Sequence, residues 1–582
     1  MKYEEQIDAA FARLGFAPRP GQKEAVDRII TAFIDDKAKN VILNASTGTG
    51  KSIIGAAAAE ALTAARGGSA STIKSSISLT ATNVLAKQYG ATFRELEKDG
   101  KYVMIKGAGN YDCDALSTPA EPATAESCAW YTMVKDSSFE AVLQQHCNGC
   151  DYLKIKQKKN LVRHITTNYS YYFIDRMYTG KFENRDLVVW DEAHLVNDLF
   201  SEHNAIYFSQ KRAQQYAEEI NTSVGLTDVK IAKLLQSLAK DVGTPGKIHD
   251  GNGTSDLGNY QAYLRALMEV YTYAKQAGQA EADIALRSGN MGKYTKLNRF
   301  AKKYEGLCCK IDDFFNYGYD HVFEYKEEER AISVKPIFVG TMIDALQSAD
   351  YNLFMSATVS EEFMVKTLNL DPMQTKFIKL PPTFPKENKE VVFFDPLSLG
   401  YKSLQDPKVV TQLRKNVAKV VKHHVEKGER GIVLTPSFKL QNELVAELVG
   451  IKGYKLFEHR QGEKLENILV AFKAYQGGPA VLISPSMFEG IDLPGDLSRW
   501  QILVKAPFPS LADKRMKFIL DKHPSLYNII TVMKAVQGAG RSVRSADDHA
   551  VTYCMDANLQ RLWTGSFNVW KDEFNTRFTK FL

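Results

Sequence analysis

The chain has 582 residues, with 74 Lys and Arg against 68 Asp and Glu, a formal charge of +6. At 44% hydrophobic and 24% charged it has a globular composition, which excludes wholesale disorder, and its length allows about four domains. No apolar run reaches membrane-spanning length, the acidic start Met1–Glu5 is no signal peptide, and seven cysteines are too few and odd in number for a disulfide scaffold, so a cytoplasmic protein without a membrane partner is expected.

In chain order, short β-rich runs are predicted at 41–43, 76–80, 187–190 and 352–355, then at 391–394, 431–434, 480–483, 501–504 and 550–554. Helix-length segments separate them. That alternation predicts an α/β fold with two parallel sheets. Two stretches break it and read as insertions into the first α/β unit. Residues 107–159 hold four of the seven cysteines and little strand signal; residues 199–336 read as mostly helical. Within the latter, 243–259 reads as an exposed loop, with helix resuming over 260–275.

After the first strand comes Asn44-Ala45-Ser46-Thr47-Gly48-Thr49-Gly50-Lys51-Ser52, followed by an apolar helix over 53–62. Strand, glycine-rich turn and helix are the context a phosphate loop requires. Gly48 and Gly50 let backbone N–H groups point inward, and the helix start adds positive potential. Lys51 can reach the β- and γ-phosphates, and the Ser52 hydroxyl can ligate Mg²⁺. Ala45 stands where the strict pattern has its first glycine.

Cys113, Cys128, Cys147 and Cys150 are spaced to close one tetrahedral thiolate site, suited to zinc or an iron–sulfur cluster. Spacing alone favours zinc, with His146 as an alternative ligand. Cys308, Cys309 and Cys554 read as ordinary core or helix cysteines. The basic run Lys154, Lys156, Lys158 and Lys159, with Arg163 and His164 beyond, reads by default as a solvated face and alternatively as the flank of a single-strand channel. Tyr169, Tyr171, Tyr172 and Phe173 read more readily as core than as base-stacking platforms.

The strand 187–190 leads into Asp191-Glu192-Ala193-His194. Asp191 would hold Mg²⁺ through water, and Glu192 would orient or deprotonate the attacking water. Near the end, Gln537-Gly538-Ala539-Gly540-Arg541-Ser542-Val543-Arg544 is predicted to put Gln537, Arg541 and Arg544 on one face of a helix. Arginine forks suit the charge developing on a γ-phosphate.

Taken together, these motifs resemble the superfamily 2 iron–sulfur DNA helicases of the XPD/DinG family. The resemblance covers most of the chain. Arg19-Pro20-Gly21-Gln22 is similar to the element that reads adenine, Ser78–Asn83 to a strand-end DNA-binding motif, and Thr167-Asn168-Tyr169 to the element after the cluster. Ser356-Ala357-Thr358 resembles the coupling motif, and Glu489–Gly495 and Ala506–Pro509 resemble the Glu-Gly-hydrophobic-Asp and Pro-Phe-Pro segments. The resemblance implies two RecA-like motor domains. The first spans 1–106, 161–198 and 337–386, the second 387–582, with a cluster domain at 107–160 and a helical arch domain at 199–336. ATP would sit in the cleft between the motors, with Gln22 reading adenine and Gln537, Arg541 and Arg544 acting across it. It also turns the cysteine reading from zinc to a [4Fe–4S] cluster, although the close pair stands third and fourth here, unlike XPD-like spacing.

The implied activity is ATP-dependent, 5′ to 3′ translocation on single-stranded and forked DNA by a monomer, with loading partners unspecified. A translocase that remodels protein–DNA complexes without net unwinding is the alternative. A non-catalytic scaffold has no need to keep both halves of the site, and the inserted cysteines argue against an RNA helicase. The motif-bearing stretch from Arg19 to Arg544 leaves no expectation of an appended nuclease, and the compact length suggests a prokaryotic or viral member.

Overall fold

The structure, a computed structural model, describes residues 1–46, 48–67, 75–113, 124–125, 150–179, 182–244, 257–317, 320–338, 340, 349–485, 493–540, 542–543 and 547–581. By internal contacts the chain divides into two compact units. One comprises Met1–Ile42, Ser52–Phe354 and Met364–Lys376; the other comprises Leu43–Lys51, Met355–Phe363 and Phe377–Leu582.

The chain runs through α1 (Glu4–Leu14), α2 (Gln22–Ile34), β1 (Asn40–Asn44), α3 (Lys51–Ala65), β2 (Ser76–Thr80), α4 (Asn83–Thr92), α5 (Arg94–Lys98), β3 (Tyr102–Met104), α6 (Asp151–Lys158), β4 (His164–Asn168), α7 (Tyr169–Ile174), β5 (Arg185–Asp191) and α8 (Val196–His203). It continues through β6 (Ile206–Ser209), α9 (Gln210–Val224), α10 (Val229–Gly243), α11 (Leu257–Arg287), α12 (Met291–Tyr317), β7 (His321–Lys326), β8 (Ala331–Pro336), β9 (Ala349–Ser356), α13 (Glu361–Leu368) and β10 (Thr375–Lys379).

Among the described residues the first sheet has the order β10-β1-β9-β5-β2-β4-β3. β2 pairs in parallel with β4, Ser78 opposite Thr166, and with β5, Ser78 opposite Val189. β1 and β2 are buried at every position. Strands covered on both faces read as continuous apolar runs rather than alternating ones.

A buried charge cluster pins α3 in this unit. The Glu60 carboxylate, 1% exposed, accepts from Arg13 at 2.7 Å, Arg163 at 2.9 Å and His164 Nε2 at 2.5 Å. The Ser76 hydroxyl lies 2.8 Å from His164 Nδ1. Burial alone would raise the Glu60 carboxyl, but the His164 hydrogen bond and the surrounding positive charges hold it at about 2. Burial keeps the His164 imidazole below its ordinary value, so it serves as a neutral donor here.

The stretch between β5 and β9 is not simply helical. β6 and β7 flank β8 in a three-stranded antiparallel sheet, Phe208 opposite Ile332 and Phe323 opposite Val334. Its inner side packs with α9–α12 into one core containing Tyr216, Leu235, Leu264, Tyr271, Tyr304, Phe323 and Ile332. The strands sit at the two ends of the segment, where short alternating runs give a weak sequence signal. Of the predicted loop at 243–259, residues 245–256 lie outside the described residues; α10 extends to Gly243 and α11 begins at Leu257.

The second unit continues with β11 (Lys389–Leu397), α14 (Pro407–Glu426), β12 (Gly431–Leu434), α15 (Phe438–Leu448), β13 (Lys455–Glu458), α16 (Leu465–Ala474), β14 (Ala480–Ser484), β15 (Trp500–Leu503), α17 (Lys514–Lys522), α18 (Pro524–Ala539), β16 (Ala550–Asp556), α19 (Ala557–Thr564) and β17 (Asn575–Thr579). Its sheet, β13-β14-β12-β15-β16-β11-β17, is parallel at every neighbouring pair. α14 shows why the sequence folds this way locally. Asp406 caps it by accepting from Lys408 N, Pro407 opens it, and Leu413, Val417, Val420, Val421 and His424 form its buried stripe. Gly431 is required in β12 because a Cβ there would fall 2.2 Å from the Trp500 ring.

Candidate functional site

β1 delivers the phosphate-loop turn. Asn44 Nδ2 donates to Val359 O at 2.7 Å, and Ala45 N donates to Ser356 O at 3.0 Å. The turn is thereby fixed to the Ser356–Thr358 segment at the end of β9. Gly48 has φ +87° and Gly50 φ +76°. A Cβ on Gly48 would lie 2.6 Å from the Phe384 ring, so both backbone and space demand glycine there. Thr49 Oγ1 donates to Ser46 O at 2.6 Å, and Lys51 Nζ lies 3.5 Å from Ala45 O. The Ser46 hydroxyl is turned to the buried Glu573 carboxylate at 2.8 Å, which leaves its main chain for any phosphate. Thr47 lies outside the described residues. Lys51 and Ser52 open α3, which starts two residues earlier than the sequence predicts.

Gln22 also opens a helix, α2, and is 3% exposed. Its Oε1 accepts from Arg19 N at 2.9 Å, closing the Arg19–Gln22 turn on itself.

β5 ends in Asp191, 7% exposed. Glu192 follows with φ +51° and ψ 47°, a left-handed backbone that is costly for a residue with a side chain. Its carboxylate lies 3.3 Å from His194 Nδ1. In the first sheet β9 lies between β1 and β5. The phosphate-loop strand and the acid-bearing strand are thus two positions apart, and both turns leave the carboxyl ends of their strands, where open α/β sheets bind ligands.

Two tyrosines that sequence reasoning missed serve this acidic turn. Tyr169 Oη donates to Asp191 O at 2.7 Å. Tyr89, on α4, is 1% exposed and lies beside Ser52 and Asp191. Burial, then the Asp191 charge, raise its phenol well above the ordinary value, while its hydrogen bond with the Ser52 side chain pulls the other way. No sequence pattern distinguishes Tyr89 from a core tyrosine.

In the second unit Gln537 sits in the last turn of α18 and donates from Nε2 to Thr358 Oγ1 at 2.8 Å. The expected continuous helix to Arg544 does not form. α18 ends at Ala539 with Gly540 beyond, and Ser542 and Val543 follow as buried non-helical residues. Two glycines in four residues oppose propagation, and the Ser542 hydroxyl is drawn instead to Ser498 at 3.1 Å. Arg541 and Arg544 lie outside the described residues, as do 489–492 of the Glu489–Gly495 segment.

Residues 420–570 match the family described as Helicase C-terminal domain, and residues 15–227 match Type III restriction enzyme, res subunit. The chain is 21% identical over 608 residues to ATP-dependent DNA helicase YoaA of Escherichia coli strain K12, covering 94% of this chain and 92% of that protein. It is 23% identical over 526 residues to ATP-dependent DNA helicase DinG of Photobacterium profundum, covering 78% and 73%. In fold it is similar to S. tokodaii Xpd4, with TM-score 0.56, 15% identity and coverage of 96% and 100%, and to an apo XPD with TM-score 0.54, 15% identity and the same coverage. In sequence and in fold the chain is similar to the XPD/DinG-like superfamily 2 helicases.

Cys113 is buried and Cys150 partly so, while Cys128 and Cys147 lie outside the described residues. The rings of Tyr111 and Tyr152 are 5.1 Å apart. That contact brings together the two ends of the cysteine-bearing segment, each two residues from its cysteine. Four thiolates on a segment closed at its base fit a soft metal centre. Among the described residues there is no cluster of three metal-ligating side chains.

The basic run is neither one solvated face nor one channel flank. Lys154 and Lys158 are exposed, but Lys159 is 4% exposed beneath the Phe182 ring, Arg163 is spent on Glu60, and His164 is fully buried. Tyr169, Tyr172 and Phe173 are core, packed with Trp190 and Phe200, and cannot stack on bases. Cys308 and Cys554 are buried and Cys309 is partly buried on α12. No described helix is long and apolar enough to cross a membrane.

Proposed function

We propose that this chain is an ATP-dependent DNA helicase that moves 5′ to 3′ on single-stranded DNA and separates duplex. The observation that carries the reading is the presence, in one sheet, of a phosphate-loop turn at the end of β1 and an acidic turn at the end of β5. Backbone N–H groups around Gly48–Gly50 and the Lys51 ammonium bind the phosphates, and Gln22 reads the adenine. Ser52 and Asp191 offer hard oxygen ligands for Mg²⁺, with the buried Tyr89 hydroxyl beside them. When bound, Mg²⁺ neutralises charge on the β- and γ-phosphates. Glu192 orients the attacking water and takes its proton, while Gln537, Arg541 and Arg544 meet the charge that develops as the γ-phosphoryl leaves.

Cys113, Cys128, Cys147 and Cys150 hold a [4Fe–4S] cluster, with zinc as the lesser alternative. The metal pins the 107–160 segment as a wedge domain, and the 199–336 segment acts as the arch over the strand. The translocated polymer is single-stranded or forked DNA, and the chain acts as a monomer in the cytoplasm. The test is ATPase activity with and without single-stranded DNA, followed by unwinding of 5′- and 3′-tailed duplexes. DNA-stimulated hydrolysis with unwinding only of the 5′-tailed substrate supports the reading. Stimulated hydrolysis with no strand separation points to a translocase that remodels protein–DNA complexes.

A further inference from the structure

Asn168, Asn83 and Asn110 form a hydrogen-bonded ladder across three separate segments. Asn168 Nδ2 donates to Asn83 Oδ1 at 2.7 Å, Asn83 Nδ2 donates to Asn110 Oδ1 at 3.0 Å, and Asn110 Nδ2 donates to Gly107 O at 3.2 Å. Each amide donates onward in the same direction, an arrangement that polarises successive bonds. One end of the ladder is the segment that leads into Cys113. The other end caps α7, where Asn168 Oδ1 accepts from Tyr171 N at 2.8 Å.

The first residue of α7 is Tyr169, whose hydroxyl holds the Asp191 carbonyl. That carbonyl belongs to the peptide joining Asp191 to Glu192, immediately before the left-handed turn. A hydrogen bond to it fixes the plane of the peptide from which Glu192 departs. The Tyr169 ring is itself immobilised, 1% exposed and 6.0 Å from the Trp190 ring. The ring is therefore held by the core, and the helix start that carries it is held by the asparagine cap.

We propose that Tyr169 is a positioning residue for hydrolysis, setting the Asp191–Glu192 peptide, and that the asparagine ladder ties this setting to the segment entering the cysteine-bearing region. The inference rests on the helicase reading, in which Glu192 orients the attacking water. It adds a route by which the DNA-facing insertion governs the rate of ATP hydrolysis through main-chain geometry, without touching nucleotide.

The test uses the full chain. Tyr169→Phe removes one hydroxyl from a buried ring and is expected to lower kcat for ATP about tenfold, with KM for ATP changed less than about twofold. A loss confined to kcat, at unchanged melting temperature, separates positioning from a merely structural role. Asn110→Ala is expected to lower kcat in the presence of single-stranded DNA while leaving DNA-free hydrolysis unchanged. Combined with Tyr169→Phe it should add less than about twofold, because the two changes break one route. A Tyr169→Phe chain with wild-type kcat, or fold losses that multiply in the double variant, overturns the inference. Wild-type chain that hydrolyses no ATP overturns the helicase reading beneath it, a result distinct from either.

Discussion

Glu60→Gln perturbs the deepest charge in the first unit without changing its volume. The carboxylate is 1% exposed and is met by Arg13, Arg163 and His164. Its fall from 4.5 to about 2 corresponds to about 3 kcal/mol of stabilisation in the ionised form. The amide keeps one acceptor oxygen but leaves the buried Arg163 charge uncompensated, and breaking such a pair costs about 3–5 kcal/mol. For a unit of this size that is a fall of roughly 4–7 °C in the first unit's calorimetric transition at neutral pH. The sign with pH is fixed. The folded value lies below the unfolded one, so the Glu60 contribution is present above about pH 4.5 and fades as pH falls through about 2. The gap between wild type and variant should therefore narrow between about pH 5 and about pH 3. His164, held below its ordinary value by burial, has the same sign and weakens the wild type as pH drops below about 6.5. A neutral-pH transition within about 1 °C of wild type, a shift worth well under 1 kcal/mol, would refute the argument.

Glu192→Gln should retain ATP binding, measured by equilibrium titration, while hydrolysis falls about 100-fold or more, because the water loses its proton acceptor. Gly48→Ala should weaken ATP binding about tenfold or more by the same titration, since a Cβ at φ +87° meets the Phe384 ring. Chain purified without oxygen should be brown and hold about four iron atoms; Cys147→Ser should lose that colour and its unwinding while keeping measurable ATPase. Undiminished unwinding by Cys147→Ser would remove the metal from the mechanism.

What the sequence made legible follows from how strongly each feature is enforced locally. A strand such as β12 is a continuous apolar run because it is covered on both faces, and its limits could be read directly. The phosphate loop and the acidic turn were legible because Gly48, Gly50 and the Asp191–Glu192 pair each have a local reason to be where they are. β6 was not, because its pairing with β8 joins residues over 120 positions apart and no short window contains it; β7 and β8 pair locally, but their short runs carry a weak signal. The helix expected through Arg544 failed where Gly538 and Gly540 outweighed the spacing of the polar residues. Lys159, Arg163 and His164 looked like a solvated run because composition cannot reveal a partner such as Glu60, a hundred residues away. Tyr89 and Tyr169 were invisible for the related reason that their roles lie in one hydroxyl each, set by tertiary position.

The most direct measurement is strand separation by the purified wild-type chain on forks carrying a single 5′ or 3′ tail, with ATP and Mg²⁺, beside a Lys51→Ala chain. The account predicts ATP-dependent unwinding of the 5′-tailed fork alone and none by Lys51→Ala. Unwinding that persists in Lys51→Ala, or a wild-type chain inert toward ATP and both forks, would contradict it.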